Sequence, residues 1–147
     1  MKCNRCGGSG EDPDSEPHAF EFRCRRCNGT GSIESMRLLL CGPMRNHLFY
    51  NAPAFADAAR LLRAAGYEVV SPVEMDRAAG FDHYRDTVTP AQVAAFQSLF
   101  LGAMDNCDGL ALIAGWEKSQ GVAVEVAKAR RLGLPYLPVE AWIGLKR

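Results

Sequence analysis

The chain lacks an excess of either charge: Lys+Arg and Asp+Glu number 17 each among its 147 residues. That balance provides no global field to draw the protein onto nucleic acid or an anionic membrane. It also lacks any apolar run approaching the ~20 residues needed to cross a bilayer. Its opening, Met1-Lys2-Cys3-Asn4-Arg5-Cys6, has no apolar signal region. The expectation is a cytoplasmic protein with no membrane association. In a reducing compartment the six cysteines are read as metal ligands or buried thiols before disulfides. What remains, 48% hydrophobic and 23% charged, is ordinary for a globular domain. The length allows one core plus a small appendage.

The appendage is residues 1–35. Cys3-x-x-Cys6-Gly7-Gly8-Ser9-Gly10 is echoed by Cys24-x-x-Cys27-Asn28-Gly29-Thr30-Gly31, so C-x-x-C-x-G-x-G occurs twice. Two such pairs supply the four thiolates of a tetrahedral structural zinc. The glycines permit tight knuckles whose backbone N–H groups face the sulfurs. A disulfide pair or a redox motif is the competing reading of the same cysteines. Between the pairs lie a polar loop and the alternating stretch His18 to Arg23, which reads as a short strand. His18 is redundant as a ligand once four cysteines close the shell. A segment this small cannot bury enough core alone, so zinc serves as its staple. Docking a protein partner, or nucleic acid through Arg5, Arg23, Arg25 and Arg26, is the sharper alternative. Acidic residues balance those arginines within the segment, which favours a staple or a protein contact.

Residues 36–147 read as alternating strands and helices. Met36 to Cys41 is a fully buried first strand. Ala54 to Ala65 is helical, with Phe55, Ala58, Ala59, Leu62 and Ala65 on one stripe and Pro53 at its start. Tyr67 to Val70 is a second strand, and residues 73–89 are a long polar loop. A helix follows over Ala91 to Met104, a strand over Gly109 to Ala114, a helix over Val122 to Leu132, and a strand over Leu134 to Val139. In the tail, Trp142 is expected to pack on the body. This pattern predicts a flavodoxin-like or Rossmann-like parallel sheet with helices on both faces, in the order 2-1-3-4. The crevice between strands 1 and 3 is then the ligand site, flanked by Gly42-Pro43-Met44-Arg45 and by Gly115 to Gly121.

One carboxylate stands over that crevice. On the last long helix Gly121, Glu125 and Ala129 share a face, with small residues above and below the glutamate. A helix N-terminus favours its anion, the form a nucleophile needs. Ser119 and the N–H groups of Gln120 to Val122 can take a phosphate, which Arg45 can reach from the other loop. The plainer alternative is a solvated helix glutamate with Ser119 as the N-cap. Cys41 and Cys107 sit in or beside apolar strands and read as buried thiols.

The two knuckles resemble the cysteine-rich zinc modules of DnaJ-type chaperones, which carry four such motifs and bind two zincs. The resemblance implies one zinc here and a ribbon fold, without chaperone activity. Leu40-Cys41-Gly42-Pro43-Met44, Asn51-x-Pro53-Ala54-Phe55, Arg63 to Val70, Asp108-Gly109, and Gly115-Trp116-Glu117-x-Ser119-x-Gly121-x-x-x-Glu125 resemble the nucleoside 2-deoxyribosyltransferase superfamily. That superfamily includes the deoxynucleoside monophosphate N-hydrolases. The likeness covers residues 37–139 and is strongest to small bacterial and phage members. It implies that Glu125 attacks the anomeric carbon of a 2-deoxynucleoside or its 5-monophosphate, that the base leaves, and that water or a second base resolves the glycosyl-enzyme. It implies phosphate binding by Ser119, sugar-phosphate contacts from Gly42, Pro43, Met44 and Arg45, a flanking role for Trp116, no organic cofactor, and a homo-oligomer of two or more chains. Two positions depart from it: Leu39 stands where a tyrosine is common, and Phe100 where an aspartate is. Asp82, His83 or Asp86, or a neighbouring chain, are the substitutes considered for that lost polar group. The alternative function is a non-catalytic nucleotide-binding module whose zinc ribbon docks a partner.

Overall fold

The computed structural model describes residues 1–15 and 23–146. Most of the short strand expected over residues 18–23, with His18, lies outside the described residues. Strands β1 (Arg37–Cys41), β2 (Glu68–Val70), β3 (Gly109–Leu112) and β4 (Tyr136–Pro138) form one parallel sheet in the order β2-β1-β3-β4, the order the sequence predicts. The register pairs Leu39 with both Val70 and Leu110.

Strand side chains alternate between faces, and β1 divides the core accordingly. Leu38 and Leu40 pack with Phe55, Ala59 and Leu62 of α1 (Ala52–Ala64) and with Trp142 of α5 (Val139–Gly144). Leu39 and Cys41 pack on the other face with Phe100 of α3 (Pro90–Ala103) and with Val122, Val126 and Ala129 of α4 (Gln120–Leu132). Trp142 is anchored as well as buried, its indole N–H donating to the Leu110 carbonyl at 2.8 Å. A capping box starts α3: Thr89 Oγ1 accepts from the Gln92 N–H, and Gln92 Oε1 accepts from the Thr89 N–H.

The polar stretch 73–89 is only partly a loop. Its first portion is helix α2 (Pro72–Ala78), with Ser71 at the N-cap and Pro72 in the first turn. Its length and polarity conceal it in sequence, because only Pro72, Val73 and Asp76 are buried. Asp76 turns inward to His83, with Oδ2 3.0 Å from Nε2. No helix among the described residues is long and apolar enough to cross a membrane.

The cysteine-rich segment folds as two crossed knuckles. The Cys3 N–H donates to the Gly31 carbonyl and the Cys24 N–H to the Gly10 carbonyl, both at 2.8 Å. A Cβ at Gly10 would run into the Gly29 carbonyl oxygen, and one at Gly31 into that of Gly8. The repeated glycines are therefore needed where the knuckles cross. This unit lies against the amino-terminal ends of the strands. Arg26 Nη2 donates to Asp108 Oδ2 at 2.8 Å and to the Ser35 carbonyl at 2.8 Å. Arg5 Nη1 donates to the Asp105 carbonyl at 2.9 Å. Within the segment, Arg5 and Arg25 both reach Asp12 and Asp14. Three of the four arginines considered for nucleic-acid docking are thus matched by acidic groups of the chain itself.

Candidate functional site

At the opposite, carboxyl-terminal ends of the strands, two loops meet. Gly42 follows β1 so closely packed that a Cβ there would stand 2.8 Å from Ile113 Cβ and 3.3 Å from the Phe55 ring. Pro43 is buried, and its Cγ would lie 3.3 Å from a Cβ placed on Gly115. The first loop therefore touches the second at the carboxyl-terminal ends of β1 and β3. Met44 packs on the α1 face of the core and Arg45 is exposed.

The first loop is held in an unusual backbone. Phe49, Tyr50 and Asn51 are consecutively left-handed, with φ of 54°, 53° and 64°. For non-glycine residues this costs about 1–2 kcal/mol each, so surrounding bonds must hold it. Asn51 Nδ2 donates to the Pro43 carbonyl at 2.9 Å. The Tyr50 hydroxyl accepts from the Val88 N–H at 2.9 Å and donates to the Asp86 carbonyl at 3.3 Å. Strain of this kind concentrates at ligand-handling loops.

Glu125 lies in the second turn of α4 and is 9% exposed. The plainer expectation of a solvated helix glutamate does not hold. Its Oε2 has no hydrogen-bond partner among the described residues. Burial pushes its pKa up to about 7, partly offset by a hydrogen bond with the Cys41 thiol. The helix N-terminus favours the anion, as the sequence implies, but desolvation outweighs the dipole here. Cys41 is itself raised by burial and then by the charge of Glu125. In sequence Cys41 reads as inert packing. Its place at the last residue of β1, beside the crevice glycine, is the one clue to this contact.

Ser119 caps α4, its Oγ accepting from the Val122 N–H at 3.2 Å. The hydroxyl keeps its own proton to donate, and the first-turn N–H groups of Gln120 and Gly121 precede any intrahelical acceptor. Beyond Gly121 the space is open: a methyl group placed there would have Ser119 Oγ, at 3.8 Å, as its nearest neighbour. Trp116 is half-buried against the Leu39–Phe100 cluster. Leu39 and Phe100 are themselves packed into that cluster, so neither position is polar or open. Among the substitutes considered, Asp82 accepts from the Tyr84 N–H and Asp86 from the Asp82 N–H, shaping their own turn. His83 differs: it is 3% exposed, and its Nδ1 has no partner among the described residues.

The cysteine cluster is a second site. The four ligand sulfurs of Cys3, Cys6, Cys24 and Cys27 lie within 4.8 Å of one another. The Cys3–Cys24 and Cys6–Cys27 sulfur distances are both 3.8 Å. Zinc–sulfur bonds of about 2.3 Å in a tetrahedron place sulfurs about 3.8 Å apart, so the set is compatible with zinc. The Gly10 and Gly31 N–H groups reach the Cys6 and Cys27 sulfurs, each at 3.2 Å. Burial opposes ionisation at both sulfurs, yet these N–H contacts hold the two thiols below their usual range. Thiolate is the metal-binding form.

Fold and sites together define a parallel α/β domain with a buried carboxylate on the helix that follows β3 and a four-cysteine knuckle at the opposite end of the sheet. Residues 36–137 match the family described as Domain of unknown function (DUF4406), and the chain belongs to that family. No curated protein sequence matches it.

Proposed function

We propose that the crevice binds a 2-deoxynucleoside or its 5-monophosphate and that Glu125 cleaves the N-glycosidic bond as a nucleophile. The observation that carries this reading is the buried Glu125 carboxyl, with an oxygen lacking any partner among the described residues, at the carboxyl ends of β1 and β3. A carboxyl in that state is costly unless a ligand completes it. Near neutral pH its acid and anion coexist. A sugar centre developing positive charge would favour the anion. The Glu125 oxygen bonds to the anomeric carbon, and the bond to the base breaks with its electron pair going to the base, which takes up a proton. Water or a second base then displaces the carboxylate. Ser119, the first turn of α4 and Arg45 bind the 5-phosphate. Gly42, Pro43 and Met44 wall the sugar, and Trp116 flanks the base. Resemblance to the deoxyribosyltransferase superfamily supports this assignment and an oligomer of two or more chains. Cys3, Cys6, Cys24 and Cys27 hold one structural zinc.

A second reading is favoured by Leu39 and Phe100, both in the core where the superfamily carries polar helpers. In it the pocket binds a nucleotide without turnover. Incubation with each deoxynucleoside and deoxynucleotide decides between them. Release of free base that disappears in Glu125→Ala supports the enzyme. No release with any of them, together with ligand-dependent thermal stabilisation, supports the binder.

A further inference from the structure

The cysteine knuckle supplies a cation to the floor of the sheet. Arg26 lies between Cys24 and Cys27 and is 8% exposed. Its guanidinium grips Asp108 with Nη2 at 2.8 Å and Nε at 3.2 and 3.3 Å from the carboxylate oxygens. Asp108 is 2% exposed and immediately precedes β3. The same Asp108 Oδ2 accepts the Arg37 backbone N–H at 2.7 Å, at the start of β1. One buried carboxylate therefore ties the first residue of β1 to the foot of β3. Glu68, at the start of β2, stands 3.5 Å from Arg26 and 3.6 Å from Arg37 but is half-exposed. Arg26 is thus the buried partner of Asp108.

We propose that metal binding by the four cysteines is coupled to the stability of the α/β body through Arg26 and Asp108. The proposal rests on the zinc reading of the cysteine set. Metal fixes the turn that carries Arg26. Without metal the knuckle loosens, Arg26 leaves, and Asp108 remains as a buried carboxylate with no cation, a strongly destabilising state. The strands it joins, β1 and β3, are the pair whose opposite ends form the Glu125 crevice. The cysteine segment is accordingly a metal-dependent clamp on the parallel sheet.

Tryptophan fluorescence isolates the body, because both tryptophans, Trp116 and Trp142, belong to it. The full-length chain is melted with its metal and after chelation, with metal content measured on each sample. The expected result is a fall in the fluorescence midpoint on the order of 10 °C on chelation. In Asp108→Asn, which needs no cation, the metal-dependent fall shrinks to less than half. If Asp108→Asn does not fold, Arg26→Met replaces it, and its metal-loaded form should melt near chelated wild type. A metal-loaded protein with the same midpoint after chelation overturns the coupling. So does an undiminished fall in Asp108→Asn, or an Arg26→Met that melts like loaded wild type. A folded protein that never binds metal overturns the zinc reading itself, and the coupling with it.

Discussion

The Cys41 thiol at the end of β1 stands beside the buried Glu125 carboxyl of α4, and each group shifts the proton affinity of the other. Thiol and carboxyl come from elements far apart in sequence and meet because β1 and β3 are adjacent. Replacing Cys41 by Ala removes a contact that lowers the Glu125 pKa. The midpoint of the Glu125 ionisation, followed through the pH profile of base release, should move upward from about 7. An unchanged midpoint would show that the thiol does not touch the carboxyl in solution.

Glu125 also makes stability depend on pH. Its folded pKa of about 7 lies above its ordinary value of 4.5. Between those values the folded chain holds a proton that the unfolded chain has released, so stability falls as pH rises through that window. Glu125→Gln removes the ionisation. The variant should gain roughly 1–3 kcal/mol on wild type at pH 8 and close to nothing at pH 4.5, by denaturant titration. Equal differences at the two pH values would place the group in water.

At Gly42 the limit is steric. A methyl group would approach Ile113 Cβ to 2.8 Å, both belonging to segments that cannot give way independently. Gly42→Ala is expected to lose about 1–3 kcal/mol of stability and to weaken ligand binding by parting the two crevice walls. Calorimetry with and without ligand separates the two effects.

A pair of variants separates the capping role of Ser119 from the phosphate contact proposed for it. Ser119→Ala loses the cap and about 1 kcal/mol. Ser119→Asp keeps a capping oxygen but sets a negative charge at the proposed phosphate position. Wild-type stability with a selective loss of kcat/KM for the monophosphate, and not for the nucleoside, is the expected result for Ser119→Asp. An equal loss for both substrates would remove Ser119 from phosphate recognition.

The strand order is legible in the sequence because apolar runs alternate with amphipathic stretches, and parallel connection rules leave few arrangements. The paired knuckles are legible from spacing alone. Local patterns do not disclose what depends on distant packing. Asp76 and Arg77 read as loop residues although they lie in α2. Arg26 reads as surface charge because nothing near it in sequence reveals that the knuckle folds onto Asp108. The three left-handed residues Phe49, Tyr50 and Asn51 carry no glycine to announce them. The position of Glu125 is legible from its small neighbours, whereas its burial is not, since Cys41 beside it arrives from elsewhere in the chain.

The central claim is that Glu125 is the nucleophile, and the most direct measurement is mass spectrometry of the protein quenched during reaction with 2-deoxynucleosides and their 5-monophosphates. The account predicts a deoxyribosyl adduct on the peptide carrying Glu125, absent from Glu125→Gln. An adduct on another residue, or base release by Glu125→Gln at the wild-type rate, would contradict it.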